Sequence, residues 1–131
     1  MTVASSVAEP NGGWLKIPLT ASTTTGGADA LALVNPEATA LVIDKVILYV
    51  ATVATGSATI DVGVAATAVT NDTLFDGLDV HAATGLFNNV TNKGTNGLPQ
   101  VLWPVGYYLT ATPSATLAGL VATAYVHYLR V

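Results

Sequence analysis

Cysteine is absent from the 131 residues, which removes disulfide cross-links, thiolate metal ligands and a cysteine nucleophile together. Charge is nearly as scarce. Only 9% of the residues are Asp, Glu, Lys or Arg, against about 25% in an ordinary soluble domain. The four basic residues, Lys16, Lys45, Lys93 and Arg130, are scattered along the chain, and eight acidic residues leave a net charge of −4. No basic stripe exists to neutralise phosphates, so nucleic acid is not an expected partner. Helical periodicity is also missing, because no window sustains apolar residues at i, i+3, i+4 and i+7 between credible caps.

What the chain has instead is apolar residues, 51% of the total, with a mean hydropathy of +0.56. The most apolar stretch, Ala38 to Ala54, carries Asp44 and Lys45 near its middle and is rich in Val, Ile and Thr. It therefore reads as a strand, and no membrane span is expected. The N-terminus shows neither the basic nor the apolar segment of a secretion signal, which leads to the expectation of cytoplasmic synthesis. The length suits one hydrophobic core. A surface so poor in charge is expected to be covered, in part, by permanent assembly.

Along the chain, Met1 to Gly13 ends in Glu9-Pro10-Asn11-Gly12-Gly13 and reads as a flexible N-terminal arm, with a single β-sandwich domain over 14–131. Alternation from Trp14 to Thr20 predicts a short edge strand holding Pro18. A second short strand, Leu31 to Val34, precedes the Asn35-Pro36 turn. Thr39 to Val53 is the expected central strand, and Ala58 to Ala65 its hairpin partner across Thr55-Gly56-Ser57. The Asn-, Asp- and Gly-rich stretch from Ala66 to Pro99 predicts long loops with one or two short strands and a projecting tip near Asn92 to Gly97. Val101 to Trp103, Tyr107 to Thr112 and Leu120 to Val131 complete about seven or eight strands. The last is expected to be central, buried on both faces and paired with Tyr107 to Thr112. The fold class is all-β: an antiparallel β-sandwich, jelly-roll-like.

Chemistry is thinly represented. Asp76, Asp79 and His81 are the metal-ligating candidates, since two carboxylates and an imidazole fall within six residues. No second histidine is near, and no calcium-loop pattern surrounds them, so a structural turn is the favoured reading and no cofactor is expected. His127 lies between Val126 and Tyr128 in the closing strand, where a hydrogen-bonded histidine is favoured over a general base. The serines sit in arm or turn contexts without a nucleophile elbow, and the expectation is no catalytic residue and no enzyme. Trp14, Tyr125 and His127, together with Asn92, Lys93 and Asn96 in the expected tip, are the interface candidates. Aromatic residues concentrate at protein contacts because they bury large area while keeping one polar atom to satisfy.

Three phrases carry a resemblance: Leu117-Ala118-Gly119-Leu120-Val121-Ala122-Thr123-Ala124-Tyr125-Val126-His127-Tyr128, Thr73-Leu74-Phe75-Asp76-Gly77-Leu78-Asp79-Val80, and Gly85-Leu86-Phe87-Asn88-Asn89. In texture the chain after Thr39 resembles the small virion structural proteins of tailed bacteriophages, and capsid decoration (cement) proteins in particular. The resemblance implies a homotrimeric β-sandwich on the outside of the capsid, bound to the major capsid protein and stabilising the head, after synthesis in the host cytoplasm. It transfers no individual functional residue. The alternative is a receptor- or glycan-binding module of a phage fibre or head spike, using aromatic residues at one end of the sandwich.

Overall fold

The computed structural model describes residues 11–23 and 27–131. Nine strands and no helix occur among them: β1 (Gly12–Pro18), β2 (Leu31–Val34), β3 (Leu41–Thr52), β4 (Thr59–Ala65), β5 (Phe75–Asp79), β6 (Gly85–Asn88), β7 (Val101–Trp103), β8 (Tyr108–Pro113) and β9 (Val121–Arg130). They form two antiparallel sheets. The first has the order β1-β9-β3-β6, with β7 pairing farther along β3, and the second has the order β2-β8-β4-β5. Taken as pairs, β1 with β9, β2 with β8, β3 with β6 and β4 with β5 make one long antiparallel hairpin. Closing β9 against β3 and β8 against β4 winds it into an antiparallel β-sandwich.

The core lies between the sheets. Leu41, Ile43, Val46, Leu48 and Val50 of β3 and Ala122, Ala124, Val126 and Tyr128 of β9 join Ile60, Val62 and Val64 of β4 and Leu109 and Ala111 of β8 in one buried cluster. The period-two alternation of these strands delivers one apolar row to that cluster. In β3 the row survives a change of register between Ile43 and Lys45. The bulge there spends one extra residue, Asp44, so that Ile43 and Val46 both face inward.

Four expectations are corrected. The hairpin between Thr39–Val53 and Ala58–Ala65 does not form, because β3 and β4 belong to different sheets. Pairing them would put both apolar rows on one face of one sheet, whereas crossing over brings the rows into the same cluster. The crossing is fastened at Ala54, whose N–H donates to Val80 O at 3.0 Å, and at Thr55, whose N–H donates to Ala118 O at 2.9 Å. For the same reason β9 is central, but it pairs with β1 and β3 and not with β8. The second face of β9, expected to be buried, is part-exposed, with Val121 and Leu129 open to solvent. Order at the N-terminal side begins ahead of Trp14, since Gly12 and Gly13 are in register with Leu129 and Tyr128. These glycines serve close approach and not freedom: a Cβ on Gly12 would stand 2.2 Å from Tyr128 O, and one on Gly13 3.0 Å from the Tyr128 hydroxyl. The rest of the expected arm, Met1 to Pro10, lies outside the described residues.

Candidate functional site

The two outer faces of the sandwich are finished differently. On the second sheet, the Asn71–Thr73 turn lies over β4 so closely that a Cβ on Gly63 would meet Asn71 Oδ1 at 2.2 Å and Thr73 N at 2.8 Å. Opposite Gly63, Thr110 is fully buried. The chain covers the middle of that face itself, while Ala32 and Val34 of β2 and Gly77 and Asp79 of β5 stay exposed at its edges. On the first sheet the outward rows carry Trp14, Tyr49, Leu86, Leu102, Val121 and Leu129, which are exposed by 40% to 71%. Register shows these to be one field: Val42 is opposite both Leu102 and Leu129, Tyr49 is opposite both Leu86 and Thr123, and Val121 is opposite Thr52. Ile47 and Tyr125 face each other between those rows.

At the β1 side of this field, the Trp14 ring lies against the His127 ring, 4.8 Å between centroids and tilted by 54°. His127 Nδ1 is 2.5 Å from Asp44 Oδ1. Because a carboxylate only accepts, Nδ1 carries the proton and the pair fixes the imidazole plane on which the indole rests. The β3 bulge is what places Asp44 there. At the β6 side, Lys45, Ile47, Leu86, Phe87 and the Asn88–Val90 turn line a mainly apolar depression of about 370 Å³. Its rim is built by Asn89, which is completely buried. The Asn89 amide accepts from Val46 N–H at 2.8 Å and donates to the Leu98 and Pro99 carbonyls at 3.0 Å each. It thereby fills the gap in the β3 ladder between the stretches paired with β6 and with β7.

The expected sites separate into two groups. Trp14, Tyr125 and His127 meet on the open face, as Trp14 is in register with His127 and Lys16 with Tyr125. Asn92 is held at the border of the depression, its Oδ1 accepting from Asn88 N–H and its N–H donating to Asn88 O, each at 3.0 Å; Lys93 and Asn96 lie farther off, and their segment does not project as a tip. It is laced to β5: Asp76 N–H donates to Lys93 O at 2.8 Å, Asn96 N–H to Asp76 Oδ2 at 3.1 Å, Leu98 N–H to Thr73 O at 2.7 Å and Asn96 Nδ2 to Asp72 Oδ2 at 3.0 Å. The edge of β5 offers unpaired backbone groups, and this loop takes up one of them, the Asp76 N–H, and the Thr73 carbonyl just ahead of the strand.

Asp76, Asp79 and His81 do not converge on a shared point. Asp79 Oδ1 accepts from the His81 and Ala82 N–H groups, which hold its carboxyl below the ordinary range. His81 Nδ1 donates to Ala54 O at 2.7 Å, and Asp76 is engaged with Asn96. Among the described residues no group of three His, Cys, Asp or Glu side chains is placed to hold a metal ion. Asp61 accepts from Gly77 N–H at 2.7 Å, and burial, with Asp76 and Asp72 nearby, pushes its carboxyl up.

Sequence reasoning missed Asp44, Tyr49, Leu86 and the open depression. The alternation of β3 and β9 did show a second apolar row in each strand. Only the strand order shows that the two rows lie side by side and that no element among the described residues crosses them. No protein-family model matches the chain, no curated protein matches it and no solved structure matches it.

Proposed function

We propose that the protein is a non-catalytic structural module that works by burying the open face of its first sheet against other protein, and that its setting is the exterior of a bacteriophage head. The observation that carries the reading is that field of exposed Trp, Tyr, Leu and Val side chains, on a chain whose Asn71–Thr73 turn lies over the middle of the other outer face. Large apolar side chains exposed together on one face, here interleaved with Lys16 and Lys45, mark an interaction surface. The charge-poor composition agrees with it, and the resemblance to decoration proteins supplies the assembly. Contact with the capsid is assigned to Met1–Pro10 and to the Asn88–Gly97 segment, the latter being held in shape beforehand by its bonds to β5.

The test is co-sedimentation of the purified chain with heads of the phage that encodes it, followed by thermal opening of the heads. Saturable binding and a higher opening temperature are expected, with binding weakened when Met1–Pro10 is deleted while the fold, read by circular dichroism, is kept. A chain that ignores heads yet takes up sugars saturably, and loses them on Trp14→Ala or Tyr49→Ala, belongs to the receptor- or glycan-binding reading instead.

A further inference from the structure

We infer that the occupant of the open face is a second copy of the same chain, related by a two-fold axis parallel to the strands and running between β9 and β3. The inference rests on the reading above and deepens it by naming the partner and the symmetry.

The face carries a knob and a hole on opposite sides. Trp14 stands on β1, half-exposed and supported by His127. The depression at Ile47, Leu86 and Val90 lies at β6, three strand spacings away, about 14 Å. Trp14, His127 and Lys45 form one row by register. Continued past β3, that row reaches the Asn89–Val90 turn, because Ile47 is opposite Asn88. A two-fold axis parallel to the strands leaves position along the strands unchanged and exchanges β1 with β6 and β9 with β3. It therefore sets Trp14 of each copy over the depression of the other, twice, with the Lys45 ammonium at the rim facing an indole. No other symmetric pairing of this face does so: an axis perpendicular to the strands returns β1 onto β1 and leaves both depressions empty.

The area is sufficient. The seven residues of β1, ten of β9, twelve of β3, four of β6 and three of β7, at about 3.3 Å each and strand spacings of about 4.8 Å, give a footprint of about 1,100 Å² over both copies. That clears the roughly 1,000 Å² asked of a biological interface. Because knob and hole occupy the same patch, the contact is isologous and closes at two copies, so the structure assigns a dimer where the resemblance implied a trimer.

The experiment uses the full chain, measured by light scattering and sedimentation from about 1 to 200 μM, together with quenching of tryptophan emission by acrylamide. Trp103 is fully buried, so the quenchable signal belongs to Trp14. The wild type is expected to be a dimer with Trp14 protected. Leu86→Arg, at a side chain exposed by 71%, is expected to keep the circular dichroism spectrum, to weaken dimerisation at least about tenfold, and to expose Trp14 to quencher. Within one copy Leu86 is too far from Trp14 to shield it, so only contact between copies links the two. A trimer, or a dimer in which Leu86→Arg leaves Trp14 protected, overturns the inference. A wild-type monomer at 200 μM that still binds heads, an upper limit chosen about a hundredfold above common micromolar affinities, overturns it while sparing the proposed function. A monomer indifferent to heads overturns both.

Discussion

Asn89 and Asn35 show how this chain uses single amides to close gaps that its strands leave. Asn35 Nδ2 donates to Trp103 O at 2.9 Å and to Thr39 O at 3.0 Å, and its Oδ1 accepts from Glu37 N–H at 2.8 Å, so it ties the end of β2 to β7. Asn89 does the same between β3 and the loop ahead of β7. Replacing it with Ala would leave the buried Val46 N–H without a partner and remove the donor to the Leu98 and Pro99 carbonyls nearer the surface. Asn89→Ala is therefore expected to cost about 3 kcal/mol or more in denaturant unfolding, well beyond a typical single hydrogen bond. A second residue-scale expectation concerns Asp61. Its carboxyl is raised chiefly by burial, so the ionised form opposes folding, and that penalty is absent below the ordinary Asp value of about 3.9. Asp61→Asn keeps the acceptor for Gly77 N–H and removes the charge. It should raise the unfolding free energy at pH 7 by less than about 1 kcal/mol, screening included, with the advantage vanishing near pH 3; a constant difference across that range would contradict the assignment. Neither amide was legible as structural in the sequence, where Asn35 reads as a turn signal and Asn89 as loop texture. Their partners are 68 and 43 residues away, and only the fold brings them within reach.

At the scale of elements, β6 and β7 coincide with short apolar islands, whereas β5, Phe75–Asp79, holds two Asp and a Gly and shares only Phe75 with the apolar island Thr73-Leu74-Phe75. In β7, Val101–Trp103, three apolar residues between Gln100 and Pro104 leave little choice. Pairing was a different matter. The apolar rows of β3 and β4 show that each has a buried side, and that statement is equally true of a hairpin and of a crossing between sheets. The segment 89–100 illustrates the same limit: its polar, glycine-rich texture predicts a loop, but not that the loop seals the β5 edge. Gly97 is where this sealing is tightest, since a Cβ there would stand 2.3 Å from Lys93 O and 2.8 Å from Leu74 O, both backbone atoms. Gly97→Ala should loosen the segment from β5 without unfolding the sandwich. Hydrogen exchange is expected to speed up at the Asp76, Asn96 and Leu98 amides and to stay slow in β3 and β9. At the other end of the molecule, Arg130 clamps Glu37 with two bonds, 2.6 and 2.8 Å long. Its guanidinium holds the Glu37 carboxyl below the usual range. The clamp's contribution is present above the ordinary Glu value of about 4.3 and is lost as pH falls through the lower folded value. Glu37→Gln should flatten the acid limb of the stability curve there.

For the whole molecule, scarcity of charge has a colloidal consequence. With a sequence pI near 4.6, net repulsion vanishes at mildly acidic pH, and the few charges leave little local repulsion to replace it. Light scattering of the purified protein is expected to peak near pH 4.6 and to fall as the net charge of −4 is restored at pH 7. Leu86→Arg adds a cation to the open face and should reduce that peak; an unchanged peak would place the sticky surface elsewhere.

Composition and period-two alternation by themselves determined that this is an all-β chain with one core and no room for cysteine or helical chemistry, because those properties are local: each residue's neighbours in sequence decide them. The tertiary structure alone decided which apolar rows face each other and which are left uncovered, because strand order joins residues far apart in the chain. Trp14 and His127 touch across the sheet although 113 positions separate them in the numbering. The open face, and with it the function proposed, exists only at that level.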